Sequence, residues 1–452
     1  MFVLFTGVVL GSFLFYDNET FAQEETTKSI LNNSLSSFLQ IPIEDYSTKT
    51  NNNSELVFSN VTNITNNQKN SVYAQIATNH KNDVYIIWQE SVTEKPSEKN
   101  YDIFFIKSED NGTTFSKPLN LSNNSGFSEH PQIALSKNGI FVVWGDNTDS
   151  KNTDVMFTKS EDNGTTFSKP LNLSNNSQYS NNQEISAFNE NVYVVWQDTD
   201  PNNNQNSSIF FKRSIDSGNT FNDIAIELAN NTNNAYPKVN SYEDFVYVVW
   251  NSENNVVWNS ENNTLSKNNN NSGLFFIKSS DKGNKFENKI RVTQNNFGES
   301  QIAVNQSEIF IAWGGLHGKN IEDIYYVQSE DKGTTFTGPY VIQEKVTKTV
   351  QPSQNNANLT NKVIKYPTNV EIANDNPSYI VWQEKISKEN QEIFIASNIP
   401  NNSKSFNIMN LSNNTGISEC PQIAVSTNYV YVVWEDITPG NHEILFTRGL
   451  IQ

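Results

Sequence analysis

The chain has 452 residues, 36% of them hydrophobic, with a mean hydropathy of −0.58 and a formal net charge of −18. That length exceeds what one ordinary core needs and points to several domains or a repeat array, while short apolar runs such as Val192–Trp196 exclude disorder throughout. The acidic balance excludes nucleic acid and anionic membrane surfaces as partners, because both demand basic patches.

At the N-terminal end, Phe2–Tyr16 is an apolar run followed by polar residues, and it reads as a secretory leader ending near Ala22. It is shorter than the ~20 residues of a membrane-spanning helix. No Lys or Arg precedes it, so an uncleaved N-terminal anchor is the alternative, and residues 1–22 are assigned as signal peptide or anchor. Residues 23–55 are rich in Asn, Ser and Thr without periodicity and read as a low-complexity linker. Glycosylation triplets are frequent, as at Asn60, Asn63 and Asn120, and an exported chain would carry glycans at some of them.

From Leu56 onward the chain repeats. Short β-type runs end in Trp88, Trp144, Trp196, Trp250, Trp313, Trp382 and Trp434, at intervals of 52 to 69 residues. Trp258 belongs to a tandem copy of the octapeptide Val248–Asn255. Each unit contains four strand-like segments, in the second unit "PQIALS", "IFVVWG", "DVMFTKS" and "FSKPLNLS", separated by Gly, Asn and Asp turn signals. Four strands in about 50 residues is the signature of a propeller blade. The last unit ends after its third strand, Glu443–Gly449, and Leu56–Thr65 has the pattern of a missing fourth. The expectation for residues 56–452 is therefore an all-β, seven-bladed propeller whose last blade is closed by an N-terminal strand, which hides two sheet edges.

Between third and fourth segments the chain writes "SEDNGTTF" twice, "SIDSGNTF", "SSDKGNKF" and "SEDKGTTF", with a degenerate "SNIPNNSKSF" in the sixth unit. The nineteen residues from Lys107 to Ser125 return unchanged from Lys159 to Ser177. An Asp that accepts turn N–H groups, a Gly at positive φ and an aromatic anchor suit a hairpin, whereas a calcium loop would need further carboxylates. These motifs resemble the Asp boxes of the sialidase-like, BNR-repeat propeller superfamily. The resemblance implies that the boxes lie on the face opposite the active site. It also implies a sialidase site of three arginines, a Tyr/Glu nucleophile pair and an acid Asp. The only arginines here, Arg213, Arg291 and Arg448, occupy repeat positions that other units fill with Lys or Asn, so a propeller without sialidase catalysis is expected.

On the opposite, top face, Glu90, Asp146, Asp198, Glu384 and Asp436 each stand two residues after a Trp. They are the candidate catalytic carboxylates, able in principle to act as an acid/base pair on a glycoside or to attract a cation. Their identical placement favours the other reading, in which each caps its own loop. The Trp residues point into packed blades by alternation. Cys420 stands where an otherwise similar stretch has His130, and is read as a surface or packing residue. His80, His130, His317 and His442 show no ligand spacing, so neither a metal nor another cofactor is expected. Two top-face excursions, Asn251–Gly273 and Lys345–Tyr366, depart from the repeat and are candidate specificity loops. The functional expectation is a secreted or cell-surface propeller binding a protein or carbohydrate ligand through its top face. The alternatives are a glycoside hydrolase using top-face carboxylates and a purely structural envelope component.

Overall fold

The computed structural model describes residues 56–93, 100–148, 152–253, 257–259, 264–266, 272–294, 299–317, 320–342, 367–374, 378–387, 389–398 and 406–451. The leader, the linker and the excursion at Lys345–Tyr366 lie outside them. Of the tandem octapeptide's neighbourhood, two short strands, Val257–Asn259 and Thr264–Ser266, pair with each other.

Every regular element among the described residues is a strand, and the strands form seven blades, numbered here by their Trp from Trp88 in blade 1 to Trp434 in blade 7. Blade 2 shows the plan: Ser128–Ser136, Gly139–Asp146, Asp154–Ser160 and Leu171–Asn172 pair antiparallel in sequence order. The first strands of successive blades adjoin one another around a closed ring, so they are innermost. Blades 3 and 4 are fused, because Ile226–Tyr242 is at once the outer strand of one and the inner strand of the next.

The apolar run of each second strand is buried on both faces because neighbouring blades cover it. Tyr85, Ile87, Ile103 and Phe105 of blade 1 form one core with Ile140, Val142 and Trp144 of blade 2. Six more such cores fill the other interfaces, the last joining Trp88 and Ile86 of blade 1 to Tyr431, Val433 and Phe446 of blade 7. The seven repeat tryptophans are at most 4% exposed, as strand alternation predicts.

The ring closes as the sequence implies. Val57–Phe58 and Thr62–Asn63 pair antiparallel with Glu443–Leu450, the third strand of blade 7. Leu56 and Phe58 pack on the core between blades 6 and 7, and Ile64 on that between blades 7 and 1.

On the bottom face, each Ser-x-Asp-x-Gly turn works as a closed hydrogen-bond unit. Asp162 Oδ1 accepts from Ser160 Oγ (2.8 Å), Thr165 N (3.0 Å) and Thr166 N (2.8 Å), and Oδ2 accepts from Thr166 Oγ1 (2.6 Å). Those donors, Thr166 first, lower its pKa to about 2. Gly164 lies at φ +74°, where a Cβ would stand 2.5 Å from Phe105 Cζ of the preceding blade. Phe167 meets the same Phe105 edge-on, 5.0 Å between centroids. The turn is therefore an interface element. The cation that precedes it serves the next blade: Lys107 Nζ donates to Asn163 O (2.9 Å), Lys159 Nζ to Asn219 Oδ1 (2.7 Å) and Arg213 to Lys282 O and Asn284 Oδ1 (both 2.9 Å). Arg448 closes the series on Asn111 O and Thr113 Oγ1 of blade 1. Two of the three arginines thus act as bottom-face staples, and Arg291 pairs opposite Phe275 at the edge of blade 4.

Candidate functional site

The five acids that follow the tryptophans end their second strands at the top face, one per blade in blades 1, 2, 3, 6 and 7. Each accepts a hydrogen bond from the indole Nε1 two residues before it: Trp88–Glu90 at 3.2 Å, Trp144–Asp146 at 3.1 Å, Trp196–Asp198 at 2.9 Å, Trp382–Glu384 at 3.3 Å and Trp434–Asp436 at 3.2 Å. A residue needs two hydrogen-bonding ends to bridge an indole to a loop, and a carboxylate with two acceptor oxygens fits. The Ser that opens the inner strand of the same blade donates to the carboxylate in four cases, as Ser128 does to Asp146 (2.8 Å) and Ser418 to Asp436 (2.7 Å). All five acids are at most 7% exposed. Burial raises the pKa of Asp198 despite its donors.

A second row of acids, absent from the sequence reading, begins the third strands. Asp102, Asp154, Glu392 and Glu443 are register partners of Glu90, Asp146, Glu384 and Asp436. Both rows are tied by the linker between blades. Asn120 Nδ2 (2.6 Å) and Ser122 Oγ (3.1 Å) donate to Asp102, while Asn124 Nδ2 reaches Asp146 in the next blade at 2.7 Å. The copy does the same, with Asn172 and Ser174 on Asp154 and Asn176 on Asp198. Even the N-terminal segment follows this rule, since Thr65 donates to Glu443 and Asn67 Nδ2 to Glu90 at 3.0 Å. The signal was an Asn-x-Ser/Thr-x-Asn spacing that also spells a glycosylation triplet. At Asn120 and Asn172 the amide nitrogen that would carry a glycan is engaged with a buried carboxylate.

Blades 4 and 5 place Ser252 and Gly315 where the others have the acid, and Trp250 Nε1 is buried without a hydrogen-bond partner.

Nearer the axis, a register shift in the inner strand turns one residue per blade toward the centre. Gln75, Gln132, Glu184, Lys238, Glu371 and Gln422 follow such a shift, and Gln301 takes the same place in blade 5, each opposite the residue before the Trp. Lys238 forms an ion pair with Glu184 of the neighbouring blade, both side chains being mostly covered. Gln301 Nε2 and Gln422 Nε2 both donate to Glu371 Oε1, at 2.5 and 3.0 Å. These positions make a polar ring carrying two acids and one cation. Burial, opposed by the charge of Lys238, raises Glu371 from 4.5 to about 8.

That ring predicts the pH dependence of stability. Folded Glu371 keeps a proton that the unfolded chain releases above its ordinary value, so its contribution is full below about pH 4.5 and is lost as pH rises toward 8. Glu129, raised to about 7 by burial, acts in the same sense. Asp110 and Asp162, lowered to about 2 by their turn donors, contribute above 3.8 and lose that contribution as pH falls through 2. His130, lowered from 6.5 to about 4 by burial, acts in the opposite sense between those values and offsets Glu129, so the midpoint of thermal unfolding is expected to fall from roughly pH 5 toward pH 8 chiefly through Glu371. Glu371→Gln should flatten the alkaline side. A midpoint that climbs steadily from pH 5 to 8 in both proteins would contradict this.

The top mouth of the channel is built by the same register shifts. Tyr73, His130 and Cys420 sit at φ +53°, +49° and +51°, and their N–H groups are held by Glu435 Oε1 (2.7 Å), Gln89 Oε1 (2.8 Å) and Gln383 Oε1 (2.6 Å) of the preceding blades. The clamp residue is the one directly after the Trp, so the motif serves inter-blade geometry twice. Tyr73 is 39% exposed and meets the His130 ring edge-on at 4.3 Å. Tyr101 and Phe127 form a second edge-on pair at 5.3 Å beside them. Burial lowers His130 to about 4 and raises Glu129 to about 7, so their 3.8 Å approach is not an ion pair at neutral pH. Cys420 is half-buried and its thiol is pushed up by burial and by Glu435, which leaves it a poor nucleophile. The outcome is an aromatic rim over blades 1 and 2 with acids beneath it. Glu419, Glu435 and His442 gather beside it on blade 7.

No protein-family model and no curated protein matches this sequence. Solved structures of similar shape include a protein of unknown function from Dyadobacter fermentans (12% identity, TM-score 0.47), covering 87% of this chain and 99% of that one. Trypanosoma rangeli sialidase is similar at 11% identity and TM-score 0.46, over 84% of this chain; the match spans 55%, about half, of the sialidase. A subtype N10 neuraminidase-like protein from a little yellow-shouldered bat isolate follows at 11% identity and TM-score 0.45, over 72% and 95% of the two chains. At this level no residue role transfers.

Proposed function

We propose that the protein is a secreted or surface-attached propeller that binds a protein or glycan ligand at its top mouth without turning it over. The observation that carries this reading is the engagement of the repeat acids. Glu90, Asp146, Asp198, Glu384 and Asp436 each hold an indole of their own blade. Groups needed to bridge blades are poor general acids, because catalysis asks one member of a pair to give up its proton on demand. The exposed Tyr73 ring, packed edge-on by His130, supplies instead an aromatic face of the kind on which sugars and apolar side chains stack. The net charge of −18 disfavours nucleic acid and acidic surfaces as ligands.

The substitution that tests this is Tyr73→Asn. Asn182 and Asn369 occupy the same shifted position in blades 3 and 6 at φ +50° and +49°, so the backbone accepts Asn there. Glycan-array or cell-surface binding by the wild type should fall at least about tenfold in the variant, a loss of ~1.4 kcal/mol. A fluorogenic glycoside panel including sialosides should show no turnover by either protein. Turnover of any of these glycosides by the wild type would overturn the binding-only reading.

A further inference from the structure

We infer that Glu419, Glu435 and His442 form a binding site for one divalent transition-metal ion of the zinc class on the rim of blade 7. The site does not depend on the ligand-binding reading above, since an ion can sit there whether or not anything occupies the mouth. Two of the residues lie on strands and the third at the entry to the next strand. Glu419 follows Ser418 on the inner strand, Glu435 is its register partner on the second, and His442 directly precedes the third strand. One ligand atom from each lies within 4.8 Å of the others. Ligands ~2.0–2.2 Å from a zinc ion stand roughly 3–3.6 Å apart, so small side-chain rotations would close the set.

Two independent observations point to an occupant. His442 Nδ1 is itself shielded from solvent, although the side chain is 36% exposed, and it faces Glu435 Oε2 at 3.7 Å, within ion-pair reach but too long for a direct hydrogen bond. A divalent ion would sit between these same groups in place of the proton that a charged imidazole turns toward Glu435. The second observation is the break in the repeat. The corresponding residues are Val72, Gln89 and Tyr101 in blade 1, Glu129, Gly145 and Thr153 in blade 2, and Thr368, Gln383 and Gln391 in blade 6. Those blades build the same strands without any such triplet, so blade architecture does not require it.

Glu435 makes the point most directly. Its Oε1 clamps Tyr73 N at 2.7 Å, a task that Gln89 and Gln383 perform for His130 and Cys420 with a neutral amide. A glutamine would serve the fold equally well. The carboxylate adds a charge to a side chain only 4% exposed, and turns its second oxygen toward His442. Two carboxylates and one imidazole suit zinc-class ions, whereas calcium would ask for six or more oxygens. Three protein ligands leave a coordination position for water or a ligand group.

The test uses the whole chain, stripped with chelator and dialysed against Zn²⁺, with bound metal counted by atomic emission and Ca²⁺ run separately. About one Zn²⁺ per chain is expected, with Ca²⁺ not retained. Glu435→Gln, which keeps the Tyr73 clamp, Glu419→Gln and His442→Gln should each weaken retention by about tenfold or more. Co²⁺ should give a visible absorption band in the wild type that the variants lose. Circular dichroism checks folding, and if His442→Gln misfolds, Glu435→Gln and Glu419→Gln decide. Failure to retain zinc, or retention that the folded variants leave unchanged, would overturn the site. Loss of zinc binding with intact ligand binding would leave the function reading standing, and the reverse result would leave the metal site standing.

Discussion

Replacing Asp146 by alanine is expected to lower stability by about 3–5 kcal/mol, read from denaturant or thermal unfolding. The side chain is 6% exposed and accepts from Trp144 Nε1, Ser128 Oγ and Asn124 Nδ2, as well as from Thr148 N at 2.9 Å. Alanine orphans all of them, and each unmatched buried donor costs roughly 1–3 kcal/mol, reduced where water can refill the site. Asparagine keeps one acceptor oxygen and should lose about half as much. The same change at Asp198 or Asp436 should behave alike, because the partners repeat. Blade 4 bounds the effect: it already leaves Trp250 Nε1 unmatched, so one missing acceptor does not prevent folding. Variants of Asp146 within about 0.5 kcal/mol of wild type would mean that the acid is not a latch.

The larger effect should come from the N-terminal closing segment. A chain beginning at Gln68 is expected to lose most of its stability, on the order of the ~5–15 kcal/mol typical of a domain, or to associate through its open edge. A chain beginning at Leu56 should unfold cooperatively as a monomer. The difference is concrete. The longer chain pairs Val57 with Leu450, Phe58 with Gly449, Thr62 with Phe446 and Asn63 with Leu445. It packs Leu56, Phe58 and Ile64 on the cores that flank blade 7. It also brings the Thr65 and Asn67 donors to Glu443 and Glu90, which the other blades receive from their own linkers. Without it, blade 7 presents the unpaired strand Glu443–Leu450, and a buried carboxylate at Glu443 loses partners on both oxygens. Light scattering after size exclusion and a thermal scan distinguish the two chains. A monomeric, cooperative chain from Gln68 with a midpoint close to that of the longer chain would sink the argument.

Much of this molecule was legible because a propeller repeat is written locally. The spacing of Trp88 to Trp434 counts the blades, Gly and Asp mark the turns, and the half-unit at each end of the repeat region implies closure. Positions were readable as well: the acids that follow five of the seven Trp residues do lie at the top of their strands, and Arg213 and Arg448 do lie at the bottom. What the residues do there was harder to read. An Asp two residues after a Trp looks the same whether it awaits a substrate or holds an indole. Only the arrival of Asn124 and Ser128 from two other strands distinguishes these roles.

The central ring and the blade 7 triplet were hidden for a different reason. Register shifts in six inner strands displace Gln75 and its counterparts by one residue relative to the simple alternation that sequence patterns use, and blade 5 reaches the same place without one. His442, Glu435 and Glu419 have no ligand spacing because a sheet brings them together across strands rather than along the chain. Sequence by itself determined the repeat, the number of blades, the closing strand and the end of the blade at which the repeat acids and the Asp turns stand, since these follow from strand direction and turn chemistry within a few residues. The tertiary structure decided which side chains meet, because closing seven nearly equivalent units into a ring makes neighbours of Glu435 and Tyr73, residues at opposite ends of the repeat.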